Sequence, residues 1–112
     1  MTASDRVYIE ITKEGITGHL PMQVVSDGDG YVANCPPLEL VAQGDTTEEA
    51  EAALKEAIGM FLQELVRMGT LEHVLVSEMG WRKTGSHAVP AYELPPPAVV
   101  QNLSIGPIPV TA

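Results

Sequence analysis

Residues 46–68 read TTEEAEAALKEAIGMFLQELVRM, which is the strongest structural signal in the chain. Apolar side chains recur in it at intervals of three and four residues, the spacing of one face of an α-helix. The pattern predicts a long helix whose apolar stripe packs on a sheet. Phe61, the only phenylalanine, is expected to be buried on that stripe. Its members are Ala50, Ala53, Leu54, Ala57, Ile58, Phe61, Leu62 and Leu65.

Both ends of this helix carry termination signals. Thr46 is a favourable N-cap residue, and Glu49 three positions later completes a capping box. Acidic residues crowd the first turns, where the helix dipole favours negative charge. Gly69 follows the last apolar position and is a typical C-cap glycine. The helix is therefore predicted from Thr46 to Met68.

The chain before the helix has the composition of short strands. Residues 7–12 alternate apolar and polar side chains, which is typical of a half-buried strand. Residues 22–26 and 31–34 are the next candidates, and the Asp-Gly-Asp-Gly sequence at 27–30 predicts a hairpin between them. Pro36 and Pro37 interrupt the ladder, and extended structure resumes at 38–42.

The chain after the helix changes character. Residues 73–77 are rich in β-branched side chains and are predicted to form a strand. Trp81 is expected to pack as an anchor. Six of the nine prolines fall in residues 85–112, so no long helix is expected there. We expect a domain at 1–84 and a proline-rich tail at 85–112, docked on the domain or on a neighbouring subunit.

Length and composition indicate one small α+β domain. A chain of 112 residues with 45% hydrophobic residues has room for one core. The elements predict a mostly antiparallel sheet with one long helix packed on it. Their order is β-β-β-α-β, preceded by an extra N-terminal strand.

The net charge of −9 limits the classes of binding partner expected for this protein. Only six residues are Lys or Arg, and binding to phosphates requires a basic patch. Direct binding of nucleic acid is therefore not expected. An acidic surface suits a basic protein partner, although it can also serve solubility alone. The expected partner-binding carboxylates lie near the helix start: Glu48, Glu49, Glu51 and Glu56.

Metal-dependent chemistry has weak support in the sequence. Asp27, Asp29 and Asp45 are candidate metal-binding acids. Formation of the hairpin turn is a sufficient reason for Asp27 and Asp29, and initiation of the helix is a sufficient reason for Asp45. A calcium loop starting at Asp27 would need its bidentate glutamate at position 38, which is Leu38. We expect no metal and no cofactor.

Nucleophilic chemistry has no better support. His19, His73 and His87 lack metal-ligand spacing, so each is expected at the surface or in packing. Cys35 is the single cysteine, which excludes an intrachain disulfide, and it is expected to be a buried small hydrophobe. The chain is therefore not expected to be an enzyme.

Location and assembly are predicted from what the sequence contains. The N-terminal residues lack the apolar region of a signal peptide, and no apolar stretch is long enough to span a bilayer. The cytoplasm is the expected location. Self-association, most simply as a dimer, is expected because an apolar segment such as residues 103–105 can add to the strand edge of a neighbouring chain.

The sequence resembles the HicB antitoxin family over roughly residues 20–66. The resemblance rests on the Tyr-Val-Ala-Asn-Cys-Pro-Pro-Leu sequence at 31–38, Gln-Gly-Asp-Thr at 43–46, and the Glu-Ala pairs at 49–50 and 56–57. It implies a partial ribonuclease-H-like domain that binds and blocks a small basic ribonuclease toxin of the HicA type.

The chain differs from the family pattern in three places. It has the extra strand at 7–12, it has the proline-rich tail where the family carries a DNA-binding domain, and its segment after the helix lacks the usual proline-containing pattern. A repressor role is therefore not expected. Two other functions stay open, a scaffolding homo-oligomer without a toxin partner and, with less support, a metal-dependent hydrolase.

Overall fold

The computed structural model describes residues 7–94 and 101–110 and has an α+β fold, as predicted from the sequence. Within these described residues, seven antiparallel strands form one sheet, and one long helix packs on it. The elements are β1 (Val7–Thr12), β2 (Gly15–Asp27), β3 (Gly30–Cys35), β4 (Leu40–Gly44), α1 (Thr47–Met68), β5 (Arg82–Gly85), β6 (Pro90–Leu94) and β7 (Gln101–Ile108).

The sheet is organised around β2, which is 13 residues long. Neighbouring strands follow the order β4-β3-β2-β1-β6-β5, and β7 also pairs with β2. The first part of β2 pairs with β1 and β7, and its last five residues pair with β3. The strand predicted at residues 22–26 is therefore the last part of a longer strand that begins at Gly15.

The helix α1 has the ends that its sequence predicts. The Thr46 hydroxyl accepts a hydrogen bond from the Glu49 main-chain N–H at 3.1 Å, and Glu49 Oε1 accepts one from the Asp45 N–H at 2.9 Å. Gly69 closes the helix with a left-handed φ of 72°. These local contacts satisfy main-chain groups that a helix leaves without partners.

The hairpin predicted at residues 27–30 joins β2 to β3. Asp27 pairs with Gly30 across the turn. Gly28 has a φ of 64°, a conformation that glycine adopts without the strain of a side chain. The strand expected at 7–12 is likewise confirmed, as β1.

The core lies between α1 and the inner face of the sheet. The helix contributes buried side chains along one stripe, and the sheet contributes Ile9, Ile16, Leu20 and Cys35 among others. Phe61 packs against the core but is only partly buried, so the full burial predicted for it is wrong. The buried residues of α1 are Ala50, Leu54, Ile58, Gly59, Leu62 and Leu65.

The strand predicted at residues 73–77 is wrong, because His73–Glu78 is helical with wide, π-type turns. The Met79 N–H donates to the Val74 carbonyl, five residues back, at 3.0 Å. Leu75 within this segment and Leu71, two residues before it, are buried four residues apart on one side of the helical turns. Burial of that side outweighs the strand preference of the valines, because β-propensity depends strongly on context.

Trp81 occupies the anchoring position predicted for it. Its side chain is buried, and the indole Nε1–H donates to the Pro37 carbonyl oxygen at 3.3 Å. The contact connects the chain after α1 to the 3₁₀ turn Pro36–Leu38, which precedes β4. Trp81 thereby links a segment that precedes α1 in the sequence to one that follows it.

Two strands come from the proline-rich stretch after residue 85. β6 pairs with β1, and β7 pairs with β2 through a register shift near Gly18. Leu103 and Ile105 are buried in the core. The end of this stretch also reaches the helix, where the Gln63 side chain donates to the Pro109 carbonyl.

Gly44, at the end of β4, and Gly59, within α1, should respond oppositely to replacement by alanine. A Cβ on Gly44 would lie 2.4 Å from the Ala50 nitrogen, which is rigid helix backbone, whereas a Cβ on Gly59 would meet Ile108 at an ordinary 3.7 Å. We expect Gly44→Ala to destabilise the protein by about 1–3 kcal/mol through overpacking. Gly59→Ala should stabilise it by about 0.5–1 kcal/mol through helix propensity.

Urea unfolding followed by circular dichroism measures both changes. Each variant is the matched control for the other, because both replace glycine with alanine. A Gly44→Ala variant as stable as the wild type would contradict the close approach of β4 to the start of α1.

No helix in the described ranges is long and apolar enough to cross a membrane.

Candidate functional site

The four carboxylates predicted to bind a partner lie at the start of α1. Glu48, Glu49 and Glu56 are exposed, and Glu51 is half-buried. Glu48 and Glu51 line a shallow groove of about 220 Å³ together with Lys55. Glu49 is engaged in the capping box, and Glu56 lies outside the groove lining. The structure thus brings two of the four together, with Lys55 one helical turn beyond Glu51 in the same groove.

A second depression brings two candidate metal-binding acids together. Asp27 and Asp45 line an open pocket of about 390 Å³ beside Tyr31 and Gln43, while Asp29 lies outside the lining. Among the described residues, no three His, Cys, Asp or Glu side chains are grouped so that they could hold a metal ion. The pocket lies where the hairpin end of the sheet meets the turn that leads into α1.

The sheet register places a histidine beside a serine from the far end of the chain. His19 Nδ1 lies 3.2 Å from Ser104 Oγ, and the His19 ring stacks on Tyr8 with centroids 6.4 Å apart. His19 on β2 and Ser104 on β7 are 85 residues apart in sequence. Spacing along the chain therefore does not reveal that they lie together. Stacking and register account for the position of His19 in packing, as predicted.

The other two histidines lie at the surface. His73 Nε2 is 3.4 Å from Glu78 Oε2, and both side chains are exposed. His87 is exposed in the turn between β5 and β6. Neither lies near the His19 strand pair in sequence or in the register of the sheet.

Cys35 is fully buried at the end of β3. Burial raises the pKa of its thiol to about 11, because a low-dielectric environment disfavours the charged thiolate. The sulfur is therefore protonated at neutral pH, and the side chain packs as a small hydrophobe.

A surface that the sequence analysis missed lies on the outer face of β2, β3 and β4. Val41 is 62% exposed and Val25 is 51% exposed, with the partly buried Val32 between them. Val25 pairs with Val32 across the two strands, and Val41 lies one diagonal further on β4. We call these three residues the valine patch.

No protein-family model, no curated protein and no solved structure matches this chain. The surfaces described above are therefore the basis for assigning a function.

Proposed function

We propose that this chain is a non-enzymatic protein-binding module of the HicB type, a cytoplasmic antitoxin that binds and neutralises a small basic HicA-like ribonuclease toxin. The observation that carries the proposal is the group of carboxylates at the start of α1. Three of the four are exposed, on a chain whose net charge is −9. Complementary charge steers a basic partner and accelerates association.

The arrangement of β2, β3, β4 and α1 supports the HicB-like part of the proposal. Three antiparallel strands in sequential order are followed by a helix that packs against them. This is the order that the resemblance of residues 20–66 implies for a partial ribonuclease-H-like core. The helical segment and the β5–β6 hairpin after α1 depart from it, as do β1 and β7.

The distribution of cations argues against direct binding of nucleic acid. The densest basic pair is Arg82 and Lys83 on β5. Lys83 Nζ is 3.0 Å from Glu72 Oε1, so one of the two cations is already paired. Two adjacent cations, one of them paired with a glutamate, do not make the basic stripe that neutralises several phosphates.

A structural homo-oligomer is the alternative function, favoured by the exposed valine patch. The residues first expected to mediate self-association are used within the chain, since Leu103 and Ile105 are buried in the pairing of β7 with β2. Self-association, as a dimer, must therefore use another surface. Light scattering over a range of concentrations measures it, and a constant monomeric mass would remove this alternative.

The antitoxin proposal predicts inhibition of an RNA-cleaving partner. We expect the small basic protein encoded beside this gene to be captured by this chain and to stop cleaving RNA when the chain is in excess. Glu48→Lys combined with Glu56→Lys should slow association several-fold at low salt, because the electrostatic attraction is reversed. Association rates at two salt concentrations and an RNA-cleavage assay provide the measurements.

Glu14→Lys combined with Glu78→Lys gives the same change in net charge at exposed sites outside α1 and is the matched control. Thermal unfolding must accompany the test, since a lysine at position 48 also opposes the helix dipole. Undiminished RNA cleavage in excess antitoxin would refute the proposal. A sequence-specific gel shift by this chain alone would refute the expectation that it does not bind DNA directly.

A further inference from the structure

The two edge strands of the sheet, β4 and β5, differ in how they are protected from pairing with another chain. β5 reads Arg-Lys-Thr-Gly, and cations on an edge strand discourage pairing with another chain. β4 reads Leu-Val-Ala-Gln-Gly, with no charge and no proline. Within residues 7–94 and 101–110, only β3 pairs with β4. The second edge of β4 therefore offers main-chain donors and acceptors without the usual protection.

The side chains beside this edge suit an alternating strand. Val41 extends the valine patch to the rim of the sheet. On the pleated surface, every second residue of an added strand would lie on this side, next to Val41. An added strand with apolar residues at alternate positions would cover part of the patch.

The ends of β4 are acidic. Glu39 immediately precedes the strand and Asp45 immediately follows it, and both are exposed. Asp27 lines the same depression as Asp45. An incoming strand that carries lysine or arginine at its two ends would meet opposite charge at both.

The same charges disfavour a second copy of this chain in the antiparallel arrangement. If Ala42 pairs with its symmetry mate, Glu39 of one copy lies opposite Asp45 of the other, because each is three residues from Ala42. Like charges directly opposite in a sheet are destabilising. In this register the acidic ends of β4 therefore favour a cationic segment over a second copy of the chain.

We propose that β4 is the docking edge for an extended cationic segment of a basic protein partner, which adds to the sheet as an eighth strand. The proposal rests on the proposed function for the nature of the partner and adds the place and manner of contact. β4 is five residues long, so the bound segment spans about 17 Å at about 3.4 Å per residue. Main-chain pairing supplies the affinity, and the valine patch and acidic ends select the segment.

The probe for this test is a synthetic peptide with alternating valine and threonine between lysine pairs. We expect hydrogen exchange of the amides of residues 40–44 to slow when the peptide binds. A twin peptide with glutamate in place of lysine should bind at least tenfold more weakly. A second twin, N-methylated at alternate residues along one edge, should lose binding because it cannot complete the main-chain ladder.

Two exposed valines provide matched variants. Val41→Lys should weaken peptide binding at least tenfold, whereas Val25→Lys, with the same charge change two strands from the edge, should weaken it less than threefold. Circular dichroism checks that both remain folded. Equal losses in the two variants, unchanged exchange at residues 40–44, or equal binding of the N-methylated twin would overturn the docking edge.

The same variants separate this inference from the antitoxin proposal. If Val41→Lys inhibits the basic toxin as well as the wild type does, the docking edge is refuted while the antitoxin proposal stands. If the wild type fails to inhibit the toxin but binds the cationic peptide along β4, the docking edge stands and the antitoxin proposal falls.

Discussion

Replacing Trp81 with alanine is expected to lower the free energy of unfolding by about 3–5 kcal/mol, the cost typical of removing a large buried aromatic side chain. The Trp81 side chain is 2% exposed, so almost all of its surface would be lost from the core. The variant would also remove the donor to the Pro37 carbonyl. Because the chain has no other tryptophan, far-ultraviolet circular dichroism in urea is the appropriate measurement.

Trp81→Phe is the control for this experiment. It keeps most of the buried area but removes the indole N–H, so we expect a smaller loss of about 1–2 kcal/mol. Equal losses in both variants would show that the hydrogen bond, and not the buried surface, makes the larger contribution. A loss below about 1 kcal/mol for Trp81→Ala would contradict the anchoring role.

Leu62→Ala is expected to cost about 2–5 kcal/mol, because Leu62 is completely buried between α1 and the sheet. Phe61→Ala should cost less, about 1–2 kcal/mol, because the Phe61 side chain lies partly outside the core. The order is the reverse of that expected from side-chain size alone. Urea unfolding of the two variants under identical conditions measures it.

The two positions are each other's control, since they are adjacent on the same helix and both become alanine. Helix propensity favours the alanine variant slightly more at position 61 than at 62. A larger loss for Phe61→Ala than for Leu62→Ala would mean that the helix is rotated from the orientation described above.

The error at Phe61 has a geometric origin. Adjacent residues on an α-helix differ by about 100° in direction, so an apolar stripe that includes both positions is wide and its centre is poorly defined by sequence. Burial of Leu54, Ile58, Leu62 and Leu65 places the centre on the Leu62 side. The side of α1 that is buried is set by the sheet, which is built largely from residues far from α1 in the sequence.

Part of the candidate site was predictable in the same way. The carboxylates near the helix start follow from the capping sequence, and the exposure of Glu48, Glu49 and Glu56 agrees with a helix whose opposite side faces the core. The groove that joins Glu48 and Glu51 with Lys55 depends on helical geometry that sequence spacing already implies. The neighbouring open edge was not predictable, because no local pattern states which strand lies last in a sheet.

The amino-acid sequence alone determined the elements whose causes are local. The cap at Thr46, the C-terminal Gly69 and the hairpin at 27–30 depend on hydrogen bonds and φ angles that a few neighbouring residues control. The tertiary structure decided the helical form of 73–78, the three partners of β2 and the exposure of β4. Those outcomes depend on which remote surfaces cover each segment, since the burial of apolar area and the choice of strand partner are set by contacts across the whole chain.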